Sequence, residues 1–230
     1  MPTTPSEPIE LVLLDVGGPI YDDIAYRDAL LRAAQELAEQ DGRTVDEDEF
    51  QRVYDEHRQQ QGGSLRSKIA QRFFTPEHRQ SLSELAHRRW EYPPSCLFDD
   101  VLPALGKLAA SYRIALVANQ RTAVVRALRR DGIAEHVDVW AISESLGVEK
   151  PDPRIFRHAL REAGVDAARA VHVGNRLDSD VRGAKAVGLR TVWVLRGEAP
   201  PNPTPEQLAE PDLAVPSLAE LPEALERLAS

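Results

Sequence analysis

Five short runs, almost wholly apolar and rich in Val, recur along the chain: Leu11 to Asp15, Arg113 to Ala118, Val137 to Ile142, Ala170 to Gly174 and Thr191 to Leu195. Runs of that length without polar alternation read as strands buried on both faces, the pattern of a parallel sheet. The stretches between them have helical spacing. Ala123, Leu128 and Ile133 line one segment, and Ile155, Phe156, Ala159, Leu160 and Ala163 line another. Strand alternating with helix predicts an α/β fold with a parallel sheet at its centre.

The rhythm breaks between about Tyr21 and Pro94, where only helical patterns occur. Tyr26, Leu30, Ala33 and Leu37 share one face; Phe50, Val53 and Tyr54 a second; Leu65, Ile69 and Phe73 a third. Leu82, Leu85 and Trp90 form a fourth after the start signal Thr75-Pro76-Glu77. Asp41-Gly42 and Gly62-Gly63-Ser64 punctuate them. This predicts a helical insertion at 21–94, dividing the sheet-bearing part into 1–20 and 95–230. The Pro-rich stretch from Gly197 to Pro211 reads as a long irregular loop, and Ser217 to Leu228 as a final helix.

Composition narrows the class. Among 230 residues, 42% are hydrophobic and 28% charged, enough for a real core and too apolar for disorder throughout. The net charge of −9 argues against a nucleic-acid surface, which needs clustered Lys and Arg. No apolar run is long enough to span a membrane. The first nine residues carry neither a basic start nor an apolar stretch, so no signal peptide is expected and a cytoplasmic location is the default. The single cysteine, Cys96, excludes an internal disulfide framework and a cysteine-built zinc site.

Ligands of open parallel sheets bind beyond the carboxyl ends of the strands, so the residues there matter most. The first strand ends in Asp15-Val16-Gly17-Gly18-Pro19, the second in Ala118-Asn119-Gln120. Gly147 to Pro153, with Lys150-Pro151 inside it, follows the third, and Gly174-Asn175-Arg176-Leu177-Asp178-Ser179-Asp180 ends the fourth. Taken singly, each has a structural use: Asp15 to stop a strand, Asn119 as a helix N-cap, Lys150 as a solvated loop lysine, Asp178 or Asp180 as a cap for the helix that follows. Their recurrence at every strand end, in one chain order, favours a shared site.

Those residues, with Gly183-Ala184 beyond them, resemble the haloacid dehalogenase-like (HAD) hydrolase superfamily from about Leu11 to Leu195. The resemblance implies a Rossmann-like core with an α-helical cap inserted after the first strand. It makes Asp15 the nucleophile and Lys150 the residue that balances charge. It implies Mg²⁺ held by Asp15, the Gly17 carbonyl and an oxygen from Asn175 or Asp180, with Gly18, Asn119 and Arg176 as candidate substrate contacts. A small-molecule substrate is the expected partner, without nucleic acid or membrane. A carboxylate attacks a phosphate dianion poorly because like charges repel, and a cation beside it offsets that repulsion.

Three positions depart from the family's phosphatase pattern. Gly17 stands where a second aspartate usually protonates the leaving group, Ala118 removes a hydroxyl, and Asn175 replaces an aspartate. A Mg²⁺-dependent phosphatase of a small phosphorylated metabolite, working through an aspartyl-phosphate on Asp15, remains the leading expectation. The alternatives are a catalytically impaired binding or regulatory protein and a metal-independent 2-haloacid dehalogenase-type enzyme. In the last, an early cap arginine (Arg27, Arg32 or Arg43) would hold the substrate carboxylate.

Overall fold

The computed structural model describes residues 7–90 and 92–229. The reading of the first nine residues as lacking a signal peptide therefore falls largely outside the described residues. In chain order the elements begin with β1 (Leu11–Leu14), α1 (Ile24–Gln40), α2 (Glu47–Gln60), α3 (Leu65–Phe73), α4 (His78–Arg89) and α5 (Val101–Ala109). There follow β2 (Arg113–Ala118), α6 (Val124–Arg130), β3 (Val139–Ile142), α7 (Ser143–Leu146), α8 (Pro153–Ala163) and β4 (Ala170–Gly174). A π-helical turn over Leu177–Val181, α9 (Arg182–Lys185), β5 (Arg190–Val194), α10 (Pro205–Leu208), β6 (Leu213–Val215) and α11 (Leu221–Ala229) complete the chain.

The six strands form one parallel sheet in the order β3-β2-β1-β4-β5-β6. The continuous apolar runs have a direct cause. Val12 and Leu14 face one layer of helices with Leu105 and Leu108 of α5 and Leu225 of α11. Leu11 and Leu13 face the other, with Ile155, Phe156 and Ala159 of α8. Both sides of each central strand are therefore buried, and no position can be polar without cost. Leu14 lies level with Leu116 and Val173, so the residues after β1 emerge between the ends of β2 and β4. The strand order reverses at that point, which leaves a crevice.

The four helices of the insertion bury their own core, built from Leu30, Leu37, Phe50, Tyr54, Leu65, Ile69, Leu82 and Leu85. Local chemistry sets their starts: the Asp46 carboxylate accepts from Glu49 N at 2.7 Å ahead of α2, and the Ser64 hydroxyl from Ser67 N at 3.4 Å ahead of α3. Tyr21 and Tyr92, inside the predicted 21–94 insertion, pack into the core of the sheet instead. The structure also adds what the sequence pattern did not show. α5 and β6 were not predicted, and the stretch read as irregular holds α10, started by a capping box between Thr204 and Gln207. The final helix begins at Leu221, after a 3-10 turn over Leu218–Glu220. β6 escaped notice because it is three residues long and only Val215 in it is buried.

Candidate active site

Asp15 follows the last residue of β1, and its backbone N–H donates to Val173 O at 2.9 Å, continuing the ladder to β4. That pairing fixes the direction in which the carboxylate leaves the sheet. Lys150 Nζ lies 2.8 Å from Asp15 Oδ1 and 2.6 Å from Asp180 Oδ1. All three residues are buried. Burial pushes the Asp15 carboxyl up to about 6, helped by the Asp180 charge and opposed by Lys150. Asp180 goes the other way: burial works against its charge, but Lys150 and a hydrogen bond with His172 hold it well below the usual range. Asp15 and Asp180 in turn raise Lys150 against a burial effect that would lower it. The result is a fixed ammonium between two carboxylates in a low-dielectric setting. His172 packs nearly perpendicular to the Phe156 ring, with Nε2 3.2 Å from Asp180 Oδ1.

Asn119 is spent on the backbone. Its Nδ2 donates to Lys150 O at 2.8 Å and its Oδ1 accepts from Lys150 N at 2.6 Å. It positions the lysine rather than offering an amide to substrate. Gly18, another candidate contact, has its N–H engaged with Tyr21 O at 2.8 Å and its carbonyl with Arg196 Nε at 3.1 Å. Its φ of +85°, and the Asn175 side chain filling the space a Cβ would take, require glycine there. Gly174 is required for a second reason, since a Cβ would overlap the Asp180 carboxyl at 2.3 Å.

Arg176, also expected against substrate, has every guanidinium nitrogen committed. Nε and Nη2 donate to Asp178, Nη1 to His57 Nε2 and Glu198 Oε2 (2.6 Å each), and Nη2 also to the Gly63 carbonyl at 2.8 Å. It clamps the α2–α3 connection to the core. Although burial would raise Glu198, His57 and Arg176 hold it at about 2. Gln61 completes the clamp. Its Oε1 accepts from Leu177 N at 2.9 Å, and its Nε2 donates to the Arg58 and Glu198 carbonyls. Gln61 ends α2 in the left-handed region, φ +48°, a place that usually selects glycine; here the side chain's three hydrogen bonds hold a residue that needs a side chain. Sequence reasoning missed Glu198, His57 and Gln61, since nothing local in the chain marks residues that meet only across the domain boundary.

Between the α1–α4 helices and the carboxyl ends of the strands lies a cleft of about 320 Å³. Asp15, Gly17, Asn119, Gln120, Lys150 and Asn175 line its floor; Tyr26, Arg66, Arg79, His87, Trp90 and Tyr92 line its cap side. Arg66 reaches Tyr26 Oη and Ser83 Oγ at 3.4 and 3.3 Å, and among the described residues neither Arg66 nor Arg79 has an acidic partner within ion-pair distance. Lys68, Arg72 and Phe73 on the same helix turn elsewhere: to Gln60, to Glu49 and into the core of the four helices. Arg27, Arg32 and Arg43 do not line the cleft.

Asp23 was not anticipated. It is the residue before α1 but makes no side-chain cap to that helix. Its carboxyl turns into the cleft, where Oδ2 accepts from Asn175 Nδ2 at 3.1 Å. Burial, with Glu198 and Asp15 nearby, pushes it well above the usual carboxyl range.

Two of the four groups expected to hold Mg²⁺, Asp180 and Asn175, are turned to protein partners. Both Asp180 oxygens are engaged by protein donors, Oδ1 by Lys150 and Oδ2 by Arg176 N at 3.0 Å. Asn175 directs its amide N–H₂ at Asp23 and the Arg196 carbonyl. Among the described residues no three His, Cys, Asp or Glu side chains are grouped to share a metal. Mg²⁺ prefers one or two carboxylates in octahedral geometry, and the charge beside Asp15 is instead the Lys150 ammonium.

Comparison with known proteins places these features. The haloacid dehalogenase-like hydrolase family matches residues 9–188. A phosphoserine phosphatase of Thermus thermophilus is 39% identical over 152 residues, 64% of this chain and 57% of that one. A glyceraldehyde 3-phosphate phosphatase of Methanopyrus kandleri is 40% identical over 103 residues, 44% of each chain. The chain thus spans about half the length of the curated relatives it matches. The solved structure of a 2-haloacid dehalogenase from Pseudomonas syringae superposes with a TM-score of 0.62 at 26% identity, covering 96% of this chain and 99% of that one.

Proposed function

The chain belongs to the haloacid dehalogenase-like hydrolase family, and from that premise we propose that it hydrolyses a small phosphorylated metabolite through Asp15. The observation that carries this reading is the Asp15 carboxylate held 2.8 Å from the buried Lys150 ammonium on the floor of the cleft. The phosphatase relatives support the choice of phosphate as the transferred group. Asp15 attacks phosphorus, an aspartyl-phosphate forms, and water then hydrolyses it. Lys150 offsets the repulsion between nucleophile and phosphoryl oxygens, and Asp180, itself hydrogen-bonded to His172, holds its ammonium in place. The family's phosphatases generally use Mg²⁺; in this structure the positive charge beside Asp15 is the Lys150 ammonium. The cleft suits a compact substrate, and Arg66 and Arg79, without an acidic partner among the described residues, favour one with a second anionic group.

The test is phosphate release from a panel of alkyl and acyl phosphates, with and without Mg²⁺, beside an Asp15→Asn control. Release that vanishes in the control supports the reading. Silence across the panel overturns it. The likeness to a dehalogenase structure and the glycine at 17 favour halide release from 2-haloacids as the second assay, because a halide leaves without a proton.

A further inference from the structure

Gly17 removes the side chain from the position two residues after the nucleophile, yet the space is not empty. A Cβ built on Gly17 would lie 2.8 Å from Asp23 Oδ1, with the next contact, Gln120 Nε2, at 3.6 Å. A Cβ on Gly197 would lie 2.7 Å from Asp23 Oδ2. Both glycines thus border one carboxyl, which comes from the residue before α1 rather than from the strand end. A Cβ on Gly197 would also meet Gly18 Cα at 2.8 Å and Asn175 Nδ2 at 2.9 Å. Asp23 does not cap α1, has no Lys, Arg or His within ion-pair distance among the described residues, and faces the cleft that Asp15 also lines.

We propose that Asp23 takes over the proton transfers that a carboxyl at position 17 would perform. This inference rests on the phosphatase reading above. As the Asp15 oxygen–phosphorus bond forms and the bond from phosphorus to the leaving oxygen breaks, the Asp23 carboxyl gives its proton to that oxygen, releasing an alcohol. The Asp23 carboxylate then takes a proton from a water whose oxygen attacks phosphorus. The Asp15–phosphorus link breaks, phosphate departs with the water's oxygen, and both residues return to their starting states. Asn175 Nδ2 and the glycines at 17 and 197 fix where that carboxyl sits.

The experiment compares kcat/KM for glycerol 3-phosphate, whose alkoxide must be protonated, with that for acetyl phosphate, whose acetate leaves unaided. Asp23→Asn is expected to lower the alkyl value about 10²–10⁴-fold and the acyl value far less. Gly17→Asp alone is expected to gain nothing, because its Cβ meets the Asp23 carboxyl; Asp23→Ala clears that space, so the double variant Gly17→Asp/Asp23→Ala should recover at least tenfold over Asp23→Ala on the alkyl substrate. Equal losses on both substrates, or no recovery in a double variant whose thermal unfolding matches wild type, would overturn the assignment. Failure of wild type on both substrates would instead bring down the phosphatase reading, and this inference with it.

Discussion

Asn119 and Lys150 exchange two hydrogen bonds, side-chain amide against backbone amide, at 2.8 and 2.6 Å. The ends of β2 and of the loop after β3 are tied together there, so the Lys150 stem enters the site from a fixed point. Asn119→Ala should therefore lower kcat/KM for phosphate release about 10–100-fold through misplacement alone. Asn119→Asp, which sets a carboxylate oxygen against the Lys150 carbonyl, should lose at least as much. Unchanged kinetics in Asn119→Ala would show that the lysine needs no such anchor.

Lys150 is also expected to set the pH profile. Asp15 must be ionised to attack, and its value of about 6 predicts a kcat/KM that rises with pH through that region. In Lys150→Met the cation that lowers Asp15 is gone, so the acid limb should move upward while the maximum falls. The same variant leaves Asp15 and Asp180 facing each other. Its stability loss should be about 3–5 kcal/mol near pH 7. With both carboxyls raised in the folded variant, that state binds protons more tightly than the unfolded chain, so stability falls as pH rises and the deficit narrows on acidification. Urea unfolding at pH 5 and pH 8 measures this.

The Arg176 clamp gives a different dependence. Glu198, held at about 2 by His57 and Arg176 despite its burial, contributes stability that is complete above its ordinary value of 4.5 and lost as pH falls toward 2. Arg176→Met strands Glu198 and Asp178 and should cost about 3–5 kcal/mol at pH 7. The difference from wild type should shrink below pH 4.5, as Glu198 takes up a proton. The clamp also holds the cap over the cleft, so KM should rise more than kcat falls.

The cap's own core offers a check on its independence from the site. Phe50 is fully buried between α1 and α3 residues and stacks with Phe73. Phe50→Ala should cost about 3–5 kcal/mol in denaturant unfolding. Hydrogen exchange should then quicken across α1 to α4 and leave β1 and β4 protected.

The central strands and the groups at their ends could be read from the chain because their causes are local. A strand buried on both faces must be apolar throughout, and β1, β2 and β4 carry that requirement openly. Asp15, Lys150 and Asp180 were legible because each follows a recognisable run, and the order of those runs resembles a known family. Their roles divided only in three dimensions. Asn119, Gly18 and Arg176 sit where the sequence put them, but their hydrogen-bonding groups are spent on Lys150, Tyr21, Arg196 and the cap. The reverse holds for Asp23, Glu198, His57 and Gln61, whose spacing announces nothing. Folding brings residue 23 against residue 175, and residue 176 against residues 57 and 198. Periodicity along a chain reports which side of an element is dry; what a polar atom does there depends on the partner that arrives from elsewhere, and only tertiary packing selects that partner.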